Sequence, residues 1–236
     1  MLESLRNNKI LIVVAHPDDE ILGIGGTLNL LTFKYNCDIK VIILGEGITS
    51  RGENRDLNKF KSDLEIHKNN ILIAQDCIGY NYLSTYDLPD NRFDTVPLLD
   101  IIKIIESEIN NFNPTTIFTH HWGDVNVDHR KVFEAVHTSC RPFPGQIVKS
   151  LFTFETLSGT EWIPSNDNRK FNPNFYVSLY KKNIEAKIKA MESYAFEKRK
   201  FPHPRASKSI SIRAEMWGST VGVPFAEAFQ LIRHLH

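Results

Sequence analysis

The sequence predicts a three-layer α/β domain built on a mostly parallel sheet, and three observations carry that expectation. Residues 10–14 and 39–44 are short β-branched and aliphatic runs without polar alternation, the pattern of strands buried on both faces of a parallel sheet. Each is followed by a longer stretch of helical periodicity. A third β-rich run, residues 115–119, starts directly after Pro114. Strand and helix in alternation argue for parallel strands joined by right-handed crossovers.

Taken in order, the first strand gives way to a loop over residues 15–20 and a helix over 21–33 rich in apolar and small residues. Residues 57–74 read as a helix with Leu57, Phe60, Leu64, Ile71 and Ala74 near one face. A further helix covers 98–109, and another runs from Asp128 to Ser139. After Arg141 the character changes. Residues 151–156 and 175–180 read as strands around a polar loop, 158–174. Residues 183–198 form a charged helix, Phe201-Pro202-His203-Pro204-Arg205 a rigid turn, and the remainder reads as helical in pieces. No linker separates this part, so the expectation is one domain over 1–236, with a core of 1–140 and an α+β extension of 141–236.

The 236 residues are 42% hydrophobic and 24% charged, ordinary for a soluble globular chain. Twenty-eight basic and 28 acidic side chains cancel, so there is no broad positive field for nucleic acid or an anionic membrane. An anionic substrate must be met by a few placed arginines. Cys37, Cys77 and Cys140 have no zinc-ribbon or CxxC spacing and read as reduced thiols. The apolar run at the N-terminus is too short for a signal peptide, and no stretch approaches the ~20 residues of a membrane span. The expected location is cytoplasmic. Oligomeric state is left open, a homo-oligomer included.

Ligands of open parallel sheets bind beyond the carboxyl ends of the strands. The first strand ends at Val14, and Ala15-His16-Pro17-Asp18-Asp19-Glu20 follows. Pro17 fixes its own φ and restricts His16, so an imidazole and carboxylates sit on a stiff loop. His16 and Asp19 can turn to one point, a nitrogen and an oxygen donor suited to zinc, with iron, cobalt or manganese as alternatives. A catalytic site of this kind takes three protein ligands and keeps one open position. The third donor is expected from the end of the third β-rich run, where His120, His121 and His129 compete on chemistry alone. Asp128 reads as a hydrogen-bond partner of an imidazole or as a helix cap. The bland account of Asp18-Asp19-Glu20 is a helix N-terminus with dipole-matched acids; that of His120 is a core histidine. His67 and His137 read as solvated helix positions, and His234 and His236 as inert terminal residues.

Residues 15–20, followed by Leu22-Gly23 and Gly25-Gly26-Thr27, together with Asp128-His129-Arg130, resemble the two motifs of the PIG-L (LmbE-like) family of zinc-dependent N-deacetylases. The resemblance covers at least residues 9–140. Weaker echoes run through Phe154-Glu155, Ser158, Glu161-Trp162 and Pro202-His203-Pro204-Arg205. They resemble a bacterial subgroup associated with surface polysaccharide and sugar-nucleotide pathways. It implies a Rossmann-like fold, Zn2+ on His16, Asp19 and His129, Asp18 as general base, and hydrolysis of an N-acetyl group from an amino sugar, a sugar nucleotide or a related conjugate. One position departs from the family. Many members carry a histidine where this chain has Asn126. Asparagine donates a hydrogen bond but is no acid, which leaves the proton donor to His120, His121 or Asp18. Rival expectations are an amidase for a larger N-acyl conjugate and a metal- or glycan-binding protein without turnover.

Gly23, Gly25 and Gly26 begin too far beyond Val14 for a dinucleotide fingerprint; close helix–sheet packing is the expectation. Arg51, in the loop after the second strand, is a candidate for holding a phosphate or sugar hydroxyls, as are His203 and Arg205. Trp122 and Trp162 are candidates for stacking on a sugar ring or for the core.

Overall fold

The apolar runs form the centre of a seven-stranded sheet in the order β3-β2-β1-β4-β5-β7-β6. The computed structural model describes residues 2–235; Met1 and His236 lie outside the described residues. Strands β1 (Lys9–Val14), β2 (Asp38–Gly45), β3 (Tyr82–Leu88), β4 (Thr116–His120) and β5 (Ser150–Phe154) pair parallel. β7 (Ala226–His234) runs antiparallel to both β5 and β6 (Phe175–Ser178).

Alternate residues of the central strands feed two cores. Ile10, Ile12, Val14, Val41 and Ile43 face α1 (Asp19–Tyr35), α2 (Lys61–Ile78), α5 (Lys181–Ser193) and α6 (Ser207–Thr220). Leu11, Val13, Ile42 and Leu44 face α3 (Leu98–Phe112) and α4 (Val127–Ser139). This is the Rossmann-like three-layer arrangement. The order reverses at β1, which lies between β2 and β4, so the crevice outside their carboxyl ends is the topological switch point. No described helix is long and apolar enough to cross a membrane. The three cysteines are free.

Four expectations need correction. Residues 226–234 form a strand, not helical pieces; Ala226, Ala228 and Phe229 are buried against β5 and β6, and tertiary pairing overrides local propensity. β3 went unread because this edge strand is only half-buried and lacks an apolar run. The second helix begins at Lys61, since Asp56 accepts from the backbone N–H groups of Asn58 and Lys59 and holds Leu57 in a turn. The charged helix ends at Ser193, leaving Tyr194, Phe196 and Glu197 to reach the carboxyl edge of the sheet.

The glycines of α1 have two jobs. A Cβ on Gly23 would lie 2.2 Å from the Phe154 ring, so this turn packs directly on β5. Gly25 and Gly26 instead admit a buried ion pair. Lys187 Nζ donates to the Leu22 carbonyl at 2.8 Å and to Glu227 Oε1 at 2.6 Å. Glu227 in turn accepts from the backbone N–H groups of Gly26 and Thr27 at 3.0 and 2.7 Å. The carbonyl and N–H of one helical rung are thus both engaged by the pair, which welds α1 to α5 and β7. Lys187→Met should cost about 3–5 kcal/mol in denaturant unfolding, because Glu227 is left buried without its cation. Adding Glu227→Gln should recover most of the loss; a single-variant cost below ~1 kcal/mol contradicts this account.

Candidate metal and active site

The turn after β1 is strained in a way that separates two neighbouring carboxylates. Asp18 has φ 106°, a conformation costly for a non-glycine residue and held only where the surroundings over-determine it. Its carbonyl accepts from the N–H groups of Ile21 and Leu22, starting α1, and its N–H donates to Glu20 Oε2 at 3.1 Å. Asp19 turns back instead, and its Oδ2 accepts the His16 N–H at 2.8 Å.

Around that oxygen stand three imidazoles: His16 Nδ1 at 3.4 Å, His120 Nε2 at 3.4 Å and His129 Nε2 at 3.3 Å. Hydrogen bonding separates them by role. His120 Nε2 accepts the Ala15 N–H at 2.9 Å, so its lone pair is used; its Nδ1–H then donates to Thr156 Oγ1 at 2.9 Å. His120 stacks on His129 with ring centroids 3.9 Å apart. His16 instead turns Nε2 to Asp128 Oδ2 at 2.8 Å, and His129 turns Nδ1 to Asp124 Oδ2 at 3.2 Å. Each is oriented by a carboxylate, as metal-binding imidazoles commonly are, leaving His16 Nδ1 and His129 Nε2 facing Asp19. Donor atoms of His16, Asp19 and His129 lie within 4.8 Å of one another. One nitrogen–oxygen–nitrogen donor set, with room at its open side, fits a divalent transition metal. A second grouping, His16 with Asp90 and Asp128, is hydrogen-bonding structure: Asp128 also accepts from the Phe93 N–H, and Asp90 from Ser50 and Asn91.

The electrostatics point the same way. Burial pulls the His129 imidazole down, but Asp19 and Asp124 outweigh it and raise it to about 9. Burial likewise opposes, and Asp128 and Asp19 then raise, His16. Asp19 is held well below the usual carboxylate range: burial opposes this, but the charge of His129 and hydrogen bonds from His129 and His16 outweigh it. The cluster therefore favours positive charge at its centre. Buried His120 is pushed down to about 3 and stays neutral.

Asp18 points into the cleft beyond these donors. It is 2% exposed, and burial raises its carboxyl well above the usual range despite Arg205. Arg205 Nη1 lies 3.2 Å from Asp18 Oδ2, yet that oxygen accepts no hydrogen bond. Arg205 is held by Ser158 Oγ at 2.7 Å and by Glu197, which also pairs with Arg51. Buried Glu20 is raised to about 7 by desolvation and takes the Tyr194 hydroxyl at 2.5 Å.

The sequence-derived candidates divide accordingly. His16, Asp18, Arg51, Asn126, His129 and Arg205 line one polar cavity of about 110 Å³, with Asp19 beneath them. Asn126 caps α4, its Oδ1 accepting the Asp128 N–H at 2.8 Å, while Nδ2 donates to Asn91 at 3.1 Å. Asp128 is therefore not the cap; it holds His16. His121 is turned away: its Nε2–H donates to the Arg169 carbonyl at 2.7 Å, and the ring packs on Trp122 and Phe171. His203 shapes the turn, its Nδ1 accepting the Arg205 N–H at 3.1 Å, beside Trp162. Trp162 is exposed and Trp122 half-buried.

Three residues at the site were not anticipated. Asp90 follows β3, a strand not expected from the sequence, and Glu197 lies within the expected helix 183–198 but beyond the observed end of α5. Asp124 lay in the second cluster without a role; its four-residue N-terminal offset from Asp128 was the available clue. His67 also departs from expectation. It is 2% exposed, packs against Tyr194 and Phe196, and lines the cavity. Burial lowers its imidazole to about 4. His137 is solvent-exposed as expected, and His234 pairs with Ser150.

An oriented two-histidine, one-carboxylate donor set open to a polar cleft at a switch point is a candidate metal site on a Rossmann-like fold. The PIG-L profile, described as GlcNAc-PI de-N-acetylase, matches residues 11–140, and the chain belongs to the PIG-L family of deacetylases. It is 26% identical over 200 residues to an uncharacterized deacetylase, YaiS, of Escherichia coli (strain K12), covering 82% of this chain and 95% of that one. Its fold is similar to the N,N'-diacetylchitobiose deacetylase of Pyrococcus horikoshii, with TM-score 0.75, 16% identity, and 96% and 84% of the two chains covered. It is equally similar in fold to GalB, the 4-carboxy-2-hydroxymuconate hydratase of Pseudomonas putida KT2440, with TM-score 0.75, 16% identity, and 97% and 98% covered.

The low His67 value carries a sign. Below the unfolded imidazole value of about 6.5, the unfolded chain binds a proton that the folded chain refuses until about pH 4. Stability is therefore lost as pH falls through that window, about 2 kcal/mol from this group by pH 5. His67→Gln should flatten the decline in unfolding free energy between pH 7 and 5 by that amount. Parallel declines in the two proteins would rule it out.

Proposed function

We propose that the protein is a metal-dependent N-deacetylase that cleaves the N-acetyl amide of an amino sugar, sugar nucleotide or related glycan precursor, giving acetate and a free amine. The observation that carries this reading is the Asp18 carboxylate. It is buried beside the His16, Asp19 and His129 donors, with one oxygen that accepts no hydrogen bond.

His16, Asp19 and His129 are the residues that would hold the cation, Zn2+ in first place, with Fe2+, Co2+ or Mn2+ as alternatives. When bound, such an ion supplies Lewis-acid polarisation of the amide carbonyl and of the attacking water. Asp18 takes the water proton as the water oxygen bonds to the carbonyl carbon. Arg205, fixed by Ser158 and Glu197, keeps this carboxylate aimed at the cleft. Asn126 bonds Asn91 through one amide hydrogen, and its second is available to the developing oxyanion. As the C–N bond breaks, Asp18 returns the proton to the departing nitrogen, so no separate acid is required at Asn126. His121, committed to the Arg169 carbonyl, has no part in this scheme. Arg51 at the cleft rim, already paired with Glu197, would meet hydroxyl or phosphate groups of the substrate.

Asp18→Asn should retain metal stoichiometry and lose at least about a hundredfold in kcat. Amine release from N-acetylglucosamine glycosides and nucleotide sugars, read beside elemental analysis, checks both. Near-normal turnover in this variant would sink the assignment of Asp18. Chelator treatment should abolish release, with recovery on adding back zinc, iron or cobalt. Metal binding without amine release from any substrate would favour a non-catalytic protein.

A further inference from the structure

The polar cavity at the proposed metal donors has a volume of about 110 Å³. A larger cavity of about 420 Å³ lies between the ends of β2 and β3 and the start of α2. Pro17 and His67 line both. A Cβ placed on Gly47, at φ 67°, would meet His67 Nε2 at 3.0 Å and Pro17 Cδ at 3.2 Å. Pro17, Gly47 and His67 therefore lie together where the two cavities adjoin.

We propose that the second cavity is a compartment of the same substrate site, reached past Pro17, Gly47 and His67, and that it takes an apolar substituent carried by the amide substrate. This rests on the deacetylase reading. The chemistry of the walls argues for the occupant. Ile43, Leu64 and Ile71 form an apolar lining, and Leu57 stands 44% exposed at its side. Lys61 and Lys68 are opposed by Glu65 and Asp87, and Glu46 is neutralised by Arg55. The lining thus has no net field to recruit a diphosphate, while its apolar side chains gain by leaving water. The Arg51–Glu197–Arg205 chain, in contrast, is confined to the polar cavity. A substrate with a polar, amide-bearing ring and an apolar arm matches both compartments.

An apolar arm can enter from the glycosidic side or as the acyl chain itself, and two ligand series separate these sources. One comprises methyl, hexyl and p-nitrophenyl glycosides of N-acetylglucosamine. The other comprises N-acetyl, N-hexanoyl and N-benzoyl forms of methyl glucosaminide. Binding is measured by calorimetry on the metal-loaded Asp18→Asn protein, so that turnover does not intervene. In one series the hexyl or aryl member should bind roughly tenfold or more tighter than the smallest member, as burial of several methylenes requires. Placing Leu64→Trp or Leu57→Asp in the same background should reduce that ratio to near one. Leu57 is a surface position, so its variant folds even where a filled cavity is not tolerated. Equal affinities within both series, or a ratio unchanged by both variants, would overturn the proposal. If the ratio behaves as expected while the native protein releases no amine from any probe, the compartment stands and the deacetylase reading falls.

Discussion

The edge of this sheet buries more carboxylates than a protein interior tolerates without compensation. Asp18, Asp19, Glu20, Asp124 and Asp128 are all nearly inaccessible, and an unpaired buried charge is costly. The surroundings are arranged around that constraint. Asp128 and Asp124 are matched by the imidazoles of His16 and His129, Asp19 by the concave side of the same rings, Asp18 by Arg205, and Glu20 by the Tyr194 hydroxyl. Only Asp18 Oδ2 among these carboxylate oxygens is a buried acceptor left without a hydrogen bond in the described residues. The imbalance is concentrated at the site's centre, where a cation and a water would complete it.

The same constraint explains why the turn after β1 needs its strained geometry. Two adjacent carboxylates in a regular turn would repel each other in a common pocket. With Asp18 at positive φ they diverge, one toward the imidazoles and one toward the cleft. The start of α1 is then locked by its own backbone and by Glu20, while the Lys187–Glu227 pair pins the helix one turn further along. A short, well-anchored segment thus carries the proposed ligand pair and the proposed base, which is what positional accuracy at a reacting centre demands.

This arrangement also decides how far the sequence could be read. The parallel core was legible because buried strands such as β1 and β2 carry unbroken apolar runs, and His16, Asp18 and Asp19 were legible because they follow such a run. The choice among His120, His121 and His129 was not, on chemistry alone. It turns on which ring nitrogens are already occupied, by the Ala15 N–H and the Arg169 carbonyl, and those partners lie 105 and 48 residues away. His67 was misread because the helix has a weak apolar face, and what buries it is Tyr194 and Phe196 from a distant segment. β7 was misread because its strand pairing is long-range and its own residues are mixed.

What varies around the site comes from the less patterned parts of the chain. The proposed chemical centre is built by the turns after β1 and β4 and the starts of α1 and α4. The rim is built by the loop after β2, the Asp90 turn after β3, and the Glu197–Arg205 segment after α5. These loops tolerate change without disturbing the sheet. The fold is shared by a chitobiose deacetylase and by a hydratase, so the sheet alone does not select the reaction. In this chain the rim places one arginine on the proposed base and leaves a second cavity beside it. On the proposed reading, reaction and substrate preference are set at separate levels of the same scaffold: the first by buried charge at the switch point, the second by the loops around it.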